Sequence, residues 1–180
     1  MTQAALVAEG AATLKAIEPE SLAVRVSGLP AEQIEVLRQT VCKDLNDSEL
    51  LLFLARCHRK GLDPFDQVSV WKGSDGKMAM QVRIDGLRAL SRRSGQFGGR
   101  TIELIYKPDD PKAIIGARCT VWRKDVERPF VEEALLSEYH KGGTWDRLPE
   151  TMIRKVAESK ALRAAFPEEL AGWYEPAELE

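Results

Sequence analysis

The stretch GTWDRLPETMIRKVAESKALRAAFP, Gly143 to Pro167, sets Arg147, Arg154, Lys155, Lys160 and Arg163 behind a lone tryptophan, Trp145. Cations next to an aromatic ring are what a nucleic-acid groove uses. Lysine and arginine neutralise phosphates while unpaired bases stack on the ring. Two plainer readings fit the same residues, a solvated basic helix face and a core tryptophan. On a helix, Lys155, Ser159 and Arg163 share one face, and Arg154 lies about 100° around from Lys155. Ile153, Val156, Ala157, Ala161 and Ala164 recur at helical spacing and read as the core stripe. Glu158 stands four residues from Arg154 and reads as its partner.

A second basic block lies upstream. Residues 54–100 hold ten cations against four anions, and residues 141–165 hold six against three, in a chain whose net charge is -2. Lys72, Lys77 and Arg83 fall on or beside a predicted hairpin, and Arg88, Arg92 and Arg93 on a short helix. Between Asp85 and Arg100 there is no acidic residue. Sequence-independent contact with a sugar–phosphate backbone is the natural use of such patches, which the overall charge conceals.

Bond-making chemistry is hard to find. GSDGK, Gly73 to Lys77, has glycines too close for a P-loop, and Met78 stands where Ser or Thr would bind magnesium, so it reads as a hairpin turn. No GxSxG, HExxH or EF-hand pattern occurs. Glu132 and Glu133 are neighbours in a predicted strand, so they point to opposite faces and cannot converge on one metal. Cys42, Cys57 and Cys119 lie far apart and read as buried thiols in a reducing compartment. With only His58 and His140 beside them, a zinc site is not expected. The reading is a binder, not an enzyme, with no cofactor and no metal.

The elements that must position these residues follow from pattern. Residues 1–30 are Ala-rich and weakly patterned, and read as an N-terminal arm available for oligomerisation. AEQIEVLRQTVC reads as a helix. Asn46 with Glu49 forms a capping box ahead of ELLLFLARCHRK, which Gly61 stops. DQVSVWKGSDGKMAMQVR reads as a β-hairpin, and IDGLRALSRR as a helix capped by Asp85 and ended by Gly95. TIELIYK, AIIGARCTVWRK and RPFVEEALL read as strands, and the final helix runs from Pro149 to about Phe166. The order gives an α+β fold: an antiparallel β-hairpin and meander sheet packed with helices, a single domain over residues 31–180 with an acidic end. The N-terminus lacks a signal peptide's basic start, and no apolar run approaches the ~20 residues that span a bilayer, so a cytoplasmic location is expected.

Several stretches together resemble the phage RecT/Bet single-strand annealing proteins, and within them the lambda Red beta branch. LRQTVCK resembles the family's first core helix and GLDPF its GLNPW-type turn. VRIDGLRAL and SGQFGG are similar to its VDGW-type helix start and QFDG-type segment, and VWRKD to a strand and turn of the meander. Trp145, then PETMIRKVAESKALRAAFP, then AGWYEPAELE, is similar to the C-terminal core helix and its glycine, aromatic and acidic ending. The resemblance covers about Leu37 to the C-terminus.

The resemblance implies a DNA recombination and repair protein of a bacterial host cell. Such a protein coats single-stranded DNA as a homo-oligomeric ring or helical filament and pairs it with a complementary strand without ATP. Lys43, Trp145, Arg154 and Arg163 match the family's groove-lining pattern. Lys72 and Lys77 fall in the hairpin without aligning cleanly, and Gln67 stands where the closest relatives carry a lysine. Glu150 and Thr151 stand where those relatives carry a basic pair, a loss that Lys155 and Lys160 are placed to offset. The expected DNA-binding set is therefore Lys43, Lys72, Lys77, Arg83, Trp145, Arg154, Lys155, Lys160 and Arg163. The partners implied are single-stranded DNA and the annealed duplex intermediate. Longer relatives continue into a module that contacts a phage exonuclease and a host single-strand binding protein; the chain ends before it, which leaves those two partners open. Two alternatives stand beside this reading: a passive single-strand-binding protein, and a metal-dependent nuclease using scattered carboxylates.

Overall fold

A computed structural model describes residues 19–170. Most of the expected N-terminal arm and the AGWYEPAELE ending lie outside the described residues. The first described element is a helix, α1, Pro19–Ser27, which packs on a later helix through buried Ala23. The sequence read this segment as part of an arm because residues 2–30 as a whole are Ala-rich and weakly patterned. α2, Ala31–Gln39, buries Ile34 and Leu37. It stops short of the expected Cys42: the Thr40 hydroxyl donates to the Val36 carbonyl at 2.6 Å, and a turn then carries Cys42 into the core. α3, Asp47–Lys60, has the expected capping box, with Glu49 N–H donating to Asn46 Oδ1 at 3.0 Å and Asn46 N–H to Glu49 Oε2 at 2.9 Å. Gly61 closes it in the left-handed conformation.

β1, Val68–Lys72, and β2, Met78–Val82, form an isolated antiparallel hairpin around the Gly73–Lys77 turn. In that turn Gly73 N–H donates to the Lys77 carbonyl at 2.8 Å, and Lys77 N–H to Asp75 Oδ1 at 2.9 Å. α4, Ile84–Arg93, follows without a linker. Asp85, expected as its cap, lies inside the first turn, and Arg83 occupies the cap position. The reason is the hairpin: Arg83 N–H still donates to the Gln67 carbonyl at 2.8 Å, so the helix begins where that ladder ends. The approach is close enough to require a glycine. A Cβ on Gly86 would lie 2.6 Å from Val82 Cγ1 and 2.8 Å from the Gln67 carbonyl oxygen.

β3, Phe97–Lys107, β4, Asp110–Arg123, and β5, Phe130–Leu135, make the antiparallel meander, with β4 central. The short helices α5, Leu136–Tyr139, and α6, Thr144–Arg147, lead into α7, Pro149–Ala165, and α8, Pro167–Leu170. One face of the meander presents Ala117, Cys119, Val121 and Ala134, all buried. α7 lies across it with Ile153, Ala157, Ala161 and Ala165 at four-residue spacing. Small residues on both sides let helix and sheet approach closely. The stripe is rotated from the one expected: Val156 and Ala164 are only half-buried. Arg123 secures the end of α7, donating to the Ala165 carbonyl at 2.6 Å with its guanidinium 5.0 Å from the Phe166 ring centre.

The fold is thus α+β, as the pattern of elements implied, with the hairpin and the meander as separate sheets. All three cysteines are buried and unpaired. Burial pushes the Cys42 thiol up to about 11, the Cys57 thiol to about 12 and the Cys119 thiol to about 11. Thiolate is the reactive form. The folded protein is therefore expected to resist a thiol reagent at pH 8, while denaturant exposes all three groups to stoichiometric labelling. Rapid labelling of even one thiol before unfolding would contradict this packing.

Candidate nucleic-acid interface

Four elements enclose a cleft of about 680 Å³. The end of β2 and the first turn of α4 form one wall, with Arg83 and Asp85. α7 forms the opposite wall through Met152, Lys155, Val156 and Ser159. The segment from α5 through α6 supplies Glu138, Tyr139, Lys141 and Trp145. This connection turns on Gly142 and Gly143, whose φ values of 80° and 65° exclude most side chains. The turn brings Trp145 back over the cleft, where it is half-buried and packs against the core, and its indole ring centre lies 6.4 Å from that of His140. Three cations, two aromatic rings and two carboxylates therefore share one concavity.

The structure distributes the nine residues expected to bind DNA unequally. Arg83, Trp145 and Lys155 line the cleft. Arg83 and Lys155 are exposed and take part in none of the described ion pairs. Lys43 is exposed in the turn after α2, away from the cleft lining, and Arg163 is half-buried near the end of α7.

The remaining four cations have protein partners. Lys72 Nζ lies 2.6 Å from Glu49 Oε1, so the capping carboxylate of α3 also ties down the hairpin. That Lys72 bond and the Asn46 N–H hold the Glu49 carboxyl below its ordinary value. Lys77 reaches Asp75 at 3.2 Å across an exposed turn. Arg154 pairs with Glu150 at 3.1 Å and donates to the Ile102 carbonyl at 3.3 Å. Lys160 donates to the Glu133 carbonyl at 2.6 Å, with Glu132 at 3.4 Å.

The pairing of Arg154 with Glu158, expected from spacing, does not occur. Glu158 is only 1% exposed and meets instead two arginines from other elements. Arg88 donates to both its oxygens, Nε to Oε1 at 2.8 Å and Nη2 to Oε2 at 2.7 Å. Arg100 Nε lies 2.6 Å from Oε1. Hydrogen bonding to Glu158 raises the Arg88 guanidinium above its ordinary value. Arg88 also holds Asp85 at 2.9 Å, so one chain of charges runs from the cleft wall to the buried interior. Arg93 is committed too, donating to the Lys60 carbonyl at 2.9 Å and to the Gly61 carbonyl at the end of α3. Much of the second basic block is therefore internal scaffolding.

Sequence reasoning missed Tyr139 and Lys141. Lys141 heads the basic block 141–165 and Tyr139 lies just before it, but no local spacing marks either as a cleft residue. Glu132 and Glu133 do diverge as the strand period requires, toward Lys160 and Arg118 respectively. Among the described residues, no three His, Cys, Asp or Glu side chains are placed to hold a metal ion, and no helix is long and apolar enough to cross a membrane.

Comparison with known proteins gives one positive finding. The RecT family model matches residues 27–180, which takes in every described element from the end of α1 onward. No curated protein matches the chain.

Proposed function

The chain belongs to the RecT family, a family of phage-type single-strand annealing proteins, and from that premise we propose that it coats single-stranded DNA as a homo-oligomer and pairs it with a complementary strand without ATP. The observation that carries this reading is the cleft, where Arg83, Lys141 and Lys155 converge with Trp145 and Tyr139. The cations hold the phosphates of one strand and keep it extended. The rings give unpaired bases a stacking surface. Most bases remain open, so a second strand can test them by Watson–Crick pairing, and correct duplex stabilises the assembly. The protein supplies positioning and charge screening rather than bond chemistry, and it acts in the cytoplasm of a bacterial host.

The test is annealing of two complementary oligonucleotides, one pre-coated with protein, in the absence of ATP. The wild-type chain is expected to accelerate duplex formation well above the spontaneous rate, and Arg83→Ala/Lys155→Ala to lose most of that gain. Strand binding with no gain in duplex formation would replace annealing by passive coating.

A further inference from the structure

A surface built only to follow a sugar–phosphate backbone gains nothing from carboxylates, which repel phosphates. This cleft carries two, Asp85 and Glu138. It also carries an apolar floor that includes Val82, Leu87 and Val156, which a phosphate does not need. Its volume of about 680 Å³ falls in the range of small-molecule pockets. Apolar floor, rings, cations and hydrogen-bond acceptors together describe a nucleotide: a flat base with N–H donors joined to an anionic phosphate.

We propose that the cleft takes one unstacked nucleotide of the bound strand, base inward, and favours a base with an exocyclic amino group over thymine. The inference rests on the reading of the cleft as the strand-binding site and adds what that site selects. Asp85 Oδ1 accepts from Arg88 Nη1 at 2.9 Å, so Asp85 is oriented from behind by a guanidinium itself held by buried Glu158. Glu138, exposed on α5, lines the same cleft. A carboxylate accepts from the cytosine N4 amino group. Thymine offers the O4 carbonyl at the same position, and two acceptors repel. Because this edge is the one that a complementary strand must read, the held base leaves the cleft as it pairs. Each subunit thereby marks one position of the strand without blocking its neighbours.

The test compares equal-length oligo-dC and oligo-dT by fluorescence anisotropy at fixed salt and pH 8. The variants are Glu138→Gln and Arg83→Ala/Lys155→Ala. Wild-type protein is expected to bind oligo-dC more tightly by at least about fivefold. Glu138→Gln should reduce that ratio, mainly by strengthening oligo-dT, because the amide can donate to O4. Arg83→Ala/Lys155→Ala should weaken both oligonucleotides alike. Equal wild-type affinities, or a ratio that Glu138→Gln leaves unchanged, would overturn the base pocket while leaving strand binding intact. Unchanged affinities in Arg83→Ala/Lys155→Ala would remove the strand from this cleft, and both readings with it.

Discussion

Glu158→Ala is expected to destabilise the fold by about 2–4 kcal/mol, because it leaves two half-buried arginines facing each other without their buried anion. Glu158 joins three elements at once, accepting from Arg88 of α4, contacting Arg100 of β3, and projecting from α7. For a domain of this size, such a loss lowers the melting temperature by roughly 4–16 °C. Glu158→Gln should cost less, since an amide keeps one acceptor. The triple change Arg88→Met/Glu158→Leu/Arg100→Leu should recover most of the stability, because an apolar set of similar volume removes the desolvation penalty together with the pair. Thermal unfolding followed by circular dichroism measures all four proteins. A melting temperature for Glu158→Ala within 2 °C or so of wild type would mean that the clamp contributes little.

This clamp also shows where the sequence stops being legible. Arg154 has a glutamate four residues away on each side, Glu150 and Glu158. Helical spacing offers both as partners and has no means of choosing. Packing decides: α7 turns Glu158 toward α4 and β3, and Arg154 takes Glu150. The capping box at Asn46 and the stop at Gly61 were legible because their partners lie within a few residues. The hairpin, the meander and the α+β class were legible because strand and helix periods are local patterns. Lys72 and Lys160 looked like groove cations because their carboxylate partners lie on other elements, Glu49 in α3 and Glu132 in β5. Tyr139 and Lys141 were missed for a similar reason: the cleft residues they meet, Arg83 and Lys155 among them, lie on other elements, and local spacing does not show them converging.

The same sorting of cations makes the second large effect predictable. Arg83→Ala/Lys155→Ala should weaken binding to single-stranded DNA by more than an order of magnitude at low salt, and should flatten its salt dependence. Each phosphate neutralised on a single strand contributes about 0.7 to the slope of log K against log salt, so two lost contacts reduce it by about 1.4. Lys72→Ala/Lys160→Ala removes the same formal charge and should leave the slope within error of wild type. Those two lysines already spend their charge on Glu49 and on the Glu133 carbonyl and Glu132 carboxylate of β5. What they lose is scaffold: the hairpin slackens from α3, and α7 slackens from β5. A thermal melt detects this, and a DNA titration on folded protein does not. The comparison is sharp because net charge is identical in the two double variants, so a general electrostatic attraction between protein and DNA predicts equal slopes. Equal reductions would therefore mean that the strand reads the summed field of the surface. A reduction confined to Arg83→Ala/Lys155→Ala would mean that it occupies the cleft beneath Trp145.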